Sequence, residues 1–567
     1  MLAPRIGSDS LNERLSRRVC ARYQEKLQTA FFSNRVRETL ALLAIALAGA
    51  AVRLTGLESL PPALWFDEGL NGCDALALAR GGPWPMVFPA VFPREPLLVY
   101  PMAAFVWLIG PETLAVRLPA ALIGSAAPAL LYLWLRQGAA PRAAFLSAAF
   151  LAFMRWHLHF SRFGLRTIWT PTLALAFLGL VWLAARTGKR RHAAAAGAVL
   201  GLGFYAYLSW YFFLPVAGLA VWLLMLRGKA QRSAWWLAGA LGAAALLAAA
   251  PLFVHYYNSP RDIGGRVGEL SLFKDGIGPG LRAIGKNALE ASMMLVWRGD
   301  HVSKHNIPWR PALDPAGAAL LLFGLAWALR RCRRDPLAAV LLAWLVCGTL
   351  PTVFSYTDSP NFLRTLIVSP AAAALAGLGA DAMGGWLEKR KQPALHRAAR
   401  GLPALAVAAS AAASLWLYFG VWPRTPNLWG DFSGQADQVA RYVRQAGPRE
   451  TVFVPSAMFT ERYYDSPTFH FLAGDSPRLR RFSYREALGP GPNPAADHLI
   501  VESPVFDPRA AGIIEKMAPG ARVDAFFEIV GAAEQNGEKP AWARVWRLAP
   551  NDRLTGADAD ALRGLDR

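Results

Sequence analysis

The chain has 567 residues, of which 54% are hydrophobic and only 17% charged, against roughly 25% charged in soluble proteins. Uncharged runs such as Ala193–Met225 and Ala234–Val254 reach or exceed the ~20 residues that span a bilayer. A soluble enzyme, a disordered chain and a disulfide scaffold are excluded, and a polytopic α-helical membrane protein is expected. The excess of 60 Lys and Arg over 39 Asp and Glu gathers in short loops between apolar runs, as the positive-inside rule expects. No nucleic-acid-binding motif accompanies it, so no nucleic-acid partner is expected. Cys20, Cys73, Cys332 and Cys347 form no C-x-x-C pair, which argues against a zinc site.

Residues 1–37 are polar and basic. Leu11, Leu15, Val19, Tyr23, Leu27 and Phe31 recur at steps of four, with Arg14, Arg17, Arg18, Arg22 and Lys26 between them. This pattern predicts a cytoplasmic amphipathic arm on the inner leaflet. No apolar run precedes Thr39, so no cleavable leader is expected.

Eleven spans follow, at Thr39–Leu57, Leu118–Leu135, Ala143–His157, Thr170–Ala185, Ala193–Tyr207, Trp210–Leu226, Ala234–Val254, Ala312–Leu329, Leu337–Phe354, Leu363–Met383 and Leu402–Val421. The stretch Pro96–Gly110 is short and contains Pro101. Counting it as a span would put the basic loops Arg136–Arg142, Arg186–His192, Arg227–Arg232, Arg330–Arg334 and Glu388–Arg400 outside, against their charge. It reads instead as an interfacial helix within a first external loop, residues 58–116. A second large external loop, residues 255–311, holds the amphipathic segment Gly280–Arg298.

After Trp422 the composition becomes that of a soluble protein. Strand-like runs Thr451–Val454, His498–Val501, Ala525–Val530 and Ala543–Leu548 accompany helix-like Gln435–Ala446 and Arg509–Met517. The expected organisation is the arm 1–37, a membrane domain 38–422 and a small extracytoplasmic α/β domain 423–567.

The spans carry almost no charge, which argues against an ion-coupled transporter. Polar side chains collect instead on the predicted outer side: Asp67 and Glu68, Arg94, Arg117, the segment His157–Arg166, His305 and Asn306, and Asn361 and Arg364. Paired carboxylates facing several arginines at one membrane surface suit an anionic substrate whose body lies in lipid. Sugar transfer from a polyprenyl-phosphate carrier fits this arrangement. A carboxylate can take the proton of an acceptor hydroxyl, and arginines can hold the charge of the leaving phosphate. Plainer roles compete: Asp67-Glu68 as a helix N-terminus, Arg117 snorkelling to headgroups, and Arg162 and Arg166 binding phospholipid. His157 and His159 lack a third metal ligand nearby. A lipid-linked glycan flippase or a membrane scaffold are the rival functions.

The order of these motifs resembles the GT-C membrane glycosyltransferases, and family 39 in particular, which includes protein O-mannosyltransferases and a bacterial aminoarabinose transferase acting on lipid A. The resemblance runs from about Arg37 to Val421. It rests on Asp67-Glu68, Arg94-Glu95-Pro96-Leu97-Leu98, Ala115-Val116-Arg117-Leu118-Pro119, His157 through Arg166, Gly299-Asp300, His305-Asn306-Ile307-Pro308, Leu313-Asp314-Pro315 and Pro360-Asn361-Phe362-Leu363-Arg364. It implies inverting transfer from a polyprenyl-phosphate sugar, with Asp67 as base, Glu68 beside it and Arg117 near the lipid phosphate. Arg94, His159, Arg162, Arg166, His305, Asn306, Asn361 and Arg364 complete the expected substrate-binding set. The partners are then the lipid-linked sugar, membrane lipids and an acceptor.

Two departures stand out. Members often have Pro-Pro where this chain has Glu95-Pro96, with Lys or His in place of Arg94. The loop after the third span has His157, His159, Arg162 and Arg166 where many GT-C enzymes place a second acid. A divalent cation prefers carboxylate oxygens, so neither a catalytic metal nor another cofactor is expected.

Overall fold

The computed structural model of the protein describes residue 36 and residues 38–226, 232–263, 268, 271–356, 358–390, 392–455, 466–474, 476–482, 497–502, 510–517, 520–528 and 541–548. The predicted basic arm lies outside the described residues. Among the described residues, seven helices are long and apolar enough to cross a membrane: Thr113–Leu135, Arg166–Thr187, Leu208–Leu226, Ser233–Asn258, Pro336–Val353, Leu366–Glu388 and Gly401–Arg424. The other four predicted spans also hold helix, at residues 38–54, Pro141–Phe153, Arg190–Leu202 and Pro315–Arg331, each shorter than those seven.

Helix starts follow local chemistry. Asp314 and Asp335 accept backbone N–H groups of Ala316 and Gly317 and of Leu337, and Pro315 and Pro336 come next. A capping acid followed by proline is a strong N-terminal signal, because the proline lacks an N–H that would go unpaired there. Ser369–Glu388 is the most enclosed helix, and its Ala/Gly sequence explains how. A Cβ on Gly379 would sit 2.1 Å from the Leu320 carbonyl oxygen, and one on Gly324 1.9 Å from that of Leu375. Only glycines let these backbones approach so closely.

We label the helices that frame the site α1 (residues 38–54), α2 (Phe66–Ala79), α3 (Val99–Ile109), α4 (Thr113–Leu135), α5 (Pro141–Phe153), α6 (Arg155–Ser161) and α7 (Trp169–Thr187). Helix α3 falls within the stretch read as interfacial. Its 11 residues give a length of about 16 Å, too short to span. One expectation needs correcting: the predicted span Ala143–His157 is not one helix. It breaks at Met154, whose ψ is 116°. The break turns Arg155 toward the Pro311 carbonyl at 2.8 Å and the Asn306 amide oxygen at 2.5 Å, where its guanidinium is hydrogen-bonded.

Beyond the last apolar helix stands a five-stranded sheet of β1 (Glu450–Pro455), β2 (Leu479–Phe482), β3 (Asp497–Glu502), β4 (Arg522–Glu528) and β5 (Ala541–Arg547), in the order β2-β1-β3-β5-β4. β1 runs parallel to β2 and β3, and β5 antiparallel to β3 and β4. β2 was not expected, because Leu-Arg-Arg-Phe is short and shows no alternation. It is an edge strand, where arginines suit an unpaired side. Helices Gly434–Gln445 and Ser466–Ala473 pack together, and the second lies on α2.

Candidate active site

Helix α2 opens after Trp65, and Asp67 and Glu68 fall in its first turn, where the helix dipole favours acids. Successive residues point about 100° apart around a helix, and the two carboxylates part company. Glu68 is fully buried. Its Oε1 accepts N–H groups from Arg117 Nε and Gly164, both at 2.9 Å. Its Oε2 accepts from Arg117 Nη2 and the Trp65 backbone, both at 3.1 Å. Arg117 gives its remaining N–H groups to the carbonyls of Leu57 at 3.1 Å, Pro61 at 2.8 Å and Ala63. All five guanidinium donors are spent inside the protein. The expectation that Arg117 sits near the lipid phosphate is therefore corrected: with Glu68 it staples α2, α4 and the loop after α1 together.

Four more predicted site residues belong to this frame rather than to the chamber described below. Arg94 donates to Asn71 at 2.8 Å and Asp74 at 2.5 Å, and Asn71 donates to the Gly164 carbonyl at 2.9 Å. Burial pushes the Asp74 carboxyl up and the Arg94 guanidinium down, opposed in each by the charge of the other. Arg162 donates to the carbonyls of Val52, Arg53, Gly56 and Leu60 at 2.8–2.9 Å, satisfying the open end of α1. Asn306 accepts from Arg155 and donates to the Asp300 and Arg310 carbonyls, both at 2.7 Å. His159 donates to the Lys304 carbonyl at 2.7 Å and packs against the Phe163 and Trp422 rings. Burial holds its imidazole well below the usual histidine range.

The other five, Asp67, Arg166, His305, Asn361 and Arg364, line one cavity of about 230 Å³. They come from four connections at the same end of the helices, with Asn361 and Arg364 sharing one. Arg166 opens the helical stretch of α7 with its Nε 3.2 Å from Glu95. Asn361 is fixed by Thr352, whose hydroxyl accepts its N–H at 3.0 Å, and it accepts the Arg364 N–H at 3.0 Å. Arg364 also donates to the Ser355 hydroxyl. His305 Nδ1 lies 3.0 Å from Asp300, which also accepts the Val302 and Phe362 N–H groups at 2.8 Å. Two backbone donors mark Asp300 as an acceptor, so the His305 proton sits on Nδ1.

Further polar groups outside the predicted set also line this cavity, among them Lys304, Asp358 and Tyr207. Lys304 precedes His305, and its Nζ lies 4.6 Å above the Trp65 ring. Asp358 sits in the polar loop that carries Asn361, so membership in that motif was its available signal.

A second cavity, of about 370 Å³, adjoins the first and is mainly apolar, with Leu208, Phe212, Leu272, Phe273 and Phe354 among its walls. Arg166, Tyr207 and Arg364 line both. The two arginines stand where an apolar groove meets a polar chamber, so a molecule with an oily tail and an anionic head could lie across them. Among the described residues no three His, Cys, Asp or Glu side chains are grouped closely enough to hold a metal ion.

Comparison with known proteins bears on the fold. The family model described as dolichyl-phosphate-mannose-protein mannosyltransferase matches residues 93–255, less than a third of the chain. No curated protein sequence matches. The structure of ArnT from Cupriavidus metallidurans bound to undecaprenyl phosphate superimposes with a TM-score of 0.52 at 15% identity, covering 91% of this chain and 99% of that one. Its apo form gives 0.51 at 14% identity, covering 91% and 98%. The apo oligosaccharyltransferase of Archaeoglobus fulgidus is a weaker likeness, 0.48 at 14% identity over 90% and 76%. The resemblance to GT-C glycosyltransferases of the family 39 type is borne out, and the chain has the fold of a polytopic membrane protein of that kind.

Proposed function

We propose that the protein is an inverting glycosyltransferase that moves a sugar from a polyprenyl-phosphate donor to a lipid, glycan or protein acceptor at the outer face of the cytoplasmic membrane. The observation that carries this reading is the apolar groove joined to a polar chamber through Arg166 and Arg364, with Asp67 on the chamber wall. The ArnT of matching fold binds undecaprenyl phosphate, which is the chemistry this junction suits.

The polyprenyl tail lies in the groove, its phosphate rests between Arg166 and Arg364, and the sugar enters the chamber. The Asp67 carboxylate takes the proton of the acceptor hydroxyl as that oxygen attacks the anomeric carbon. The bond from the anomeric carbon to the phosphate oxygen breaks, and polyprenyl phosphate leaves with the electron pair. The arginines hold the charge that develops on it. Asn361 keeps Arg364 in place, and Lys304 adds positive charge on the chamber side. The membrane part crosses eleven times, with the N-terminus cytoplasmic and residues 423–567 outside. α3 and the amphipathic helix Ile277–Met293 lie in the outer interface.

The test is release of undecaprenyl phosphate from a panel of undecaprenyl-phosphate sugars by the lipid-reconstituted protein. Wild type turns over at least one donor, and Asp67→Asn loses about 10²–10⁴-fold in rate, the usual range for a missing general base, while still binding undecaprenyl phosphate. Unchanged turnover in Asp67→Asn would remove Asp67 as base. Transbilayer movement of the donor without any sugar transfer would replace the transferase reading with a flippase.

A further inference from the structure

Helix Ser466–Ala473 is far from α2 in sequence yet packs directly on it. The contact leaves no slack. A Cβ on Gly69 would stand 2.6 Å from the Thr468 nitrogen, and one on Gly72 would stand 2.9 Å from the Phe471 ring. Thr468, Phe469 and Phe471 are buried. The Thr468 hydroxyl donates to the Leu64 carbonyl at 3.0 Å, at the step just before Trp65 and the first turn of α2. The Cys73 thiol donates to the Pro467 carbonyl at 3.4 Å, one turn further along.

The opposite side of α2 is held by the membrane domain, through Glu68 with Arg117 of α4 and, one turn on, through Asn71 with Gly164 in the loop after α6. The turn that presents Asp67 is thus gripped between two parts of the chain, and the Thr468 hydroxyl ties the C-terminal part to its leading strand of backbone. Nearby contacts fix where that part sits. Arg444 pairs with Glu112 at 2.5 Å, Arg441 donates to Thr113 at 3.0 Å, and Ser303 donates to Asp431.

We infer that Thr468, on helix Ser466–Ala473, is a positioning residue that fixes the first turn of α2 and so aims the Asp67 carboxylate. The inference rests on the proposed role of Asp67 as base, and makes the C-terminal part a support for the turn that carries Asp67. Thr468 touches no substrate and acts through the Leu64 carbonyl.

The experiment compares full-length reconstituted wild type with Thr468→Val, which keeps the shape without the hydroxyl, and Thr468→Ser, which restores the hydroxyl. Gly72→Ala serves as a second, steric perturbation of the same contact. Three quantities are read: kcat and KM for an undecaprenyl-phosphate sugar, affinity for bare undecaprenyl phosphate, and amide hydrogen exchange across residues 64–73. Thr468→Val and Gly72→Ala lower kcat roughly three- to tenfold, the factor one buried hydrogen bond of ordinary strength supplies. KM and undecaprenyl phosphate affinity stay within twofold, because Arg166 and Arg364 lie on other elements. Exchange rises in residues 64–73, and Thr468→Ser recovers both kcat and protection.

Unchanged kcat with a lower melting temperature overturns the inference, since Thr468 would then only hold the fold together. So does parallel loss of kcat and undecaprenyl phosphate binding, which would mean general collapse of the site. If wild type turns over no donor, the transferase reading fails by itself. Exchange then decides the clamp separately, and unaltered protection of residues 64–73 in Thr468→Val overturns it.

Discussion

Adjacent residues in a sequence can serve opposite ends. Asp67 and Glu68 stand side by side in the chain, but one faces a cavity and the other is consumed by Arg117, Gly164 and Trp65. The sequence shows a pair of acids at a helix start and nothing that separates them, because their difference lies in which groups surround the helix. Arginine was equally ambiguous: Arg94, Arg117 and Arg162 are internal ties, while Arg166 and Arg364 reach the cavity. Two substitutions distinguish the classes. Arg117→Ala leaves Glu68 buried without its partner and costs about 3–5 kcal/mol of stability, read as a collapse of the thermal transition in detergent. Arg364→Ala leaves that transition nearly in place and weakens undecaprenyl phosphate binding at least tenfold.

A pH dependence belongs at this scale too. Burial holds His159 neutral, with its proton affinity well below that of an exposed histidine. The unfolded chain binds that proton more readily, so stability is fully present above pH ~6.5 and falls as the pH drops below it. His159→Gln keeps a donor for the Lys304 carbonyl and removes the titration. The slope of melting temperature against pH between 6.5 and 5 is therefore flatter in that variant.

Among elements, helix positions were the most readable part of the chain. Apolar length, basic loops and Asp-Pro starts are local signals, and helix stands at all eleven predicted spans. The break at Met154 was hidden because the apolar run continues through it, and its cause lies in distant partners of Arg155. The helix Ser466–Ala473 was missed for a similar reason: eight residues carry too little periodicity, and its burial comes from α2. The groove was invisible as well. Phe212, Phe273 and Phe354 lie far apart in the chain, and only the meeting of three separate elements makes them a wall. Phe212→Asp places a charge in that wall and removes a ring whose contact with a hydrocarbon chain supplies roughly 1.5–3 kcal/mol. The expected result is at least tenfold weaker binding of undecaprenyl phosphate, with little change for a water-soluble, short-tailed phosphate.

At the scale of the whole molecule, the polar connections at one end of the helices converge on a single chamber, and the sheet-bearing part closes over the helix that opens it. Five of the eleven predicted site residues reach that chamber, because grouping by loop is legible in the sequence while the direction in which each side chain turns depends on packing partners far along the chain. The sharing of Arg166 and Arg364 between groove and chamber has a kinetic consequence. On the proposed reading, the spent carrier keeps the tail and phosphate that those residues would grip, and it gains negative charge when the sugar departs. Undecaprenyl phosphate should therefore inhibit competitively against the donor, with an inhibition constant no weaker than the donor KM, and the first turnover should outrun the later ones in a rapid-quench time course. Throughput would then be set by how quickly the surrounding membrane withdraws and recharges its carrier, coupling the enzyme to lipid recycling through nothing more than a shared pair of guanidinium groups.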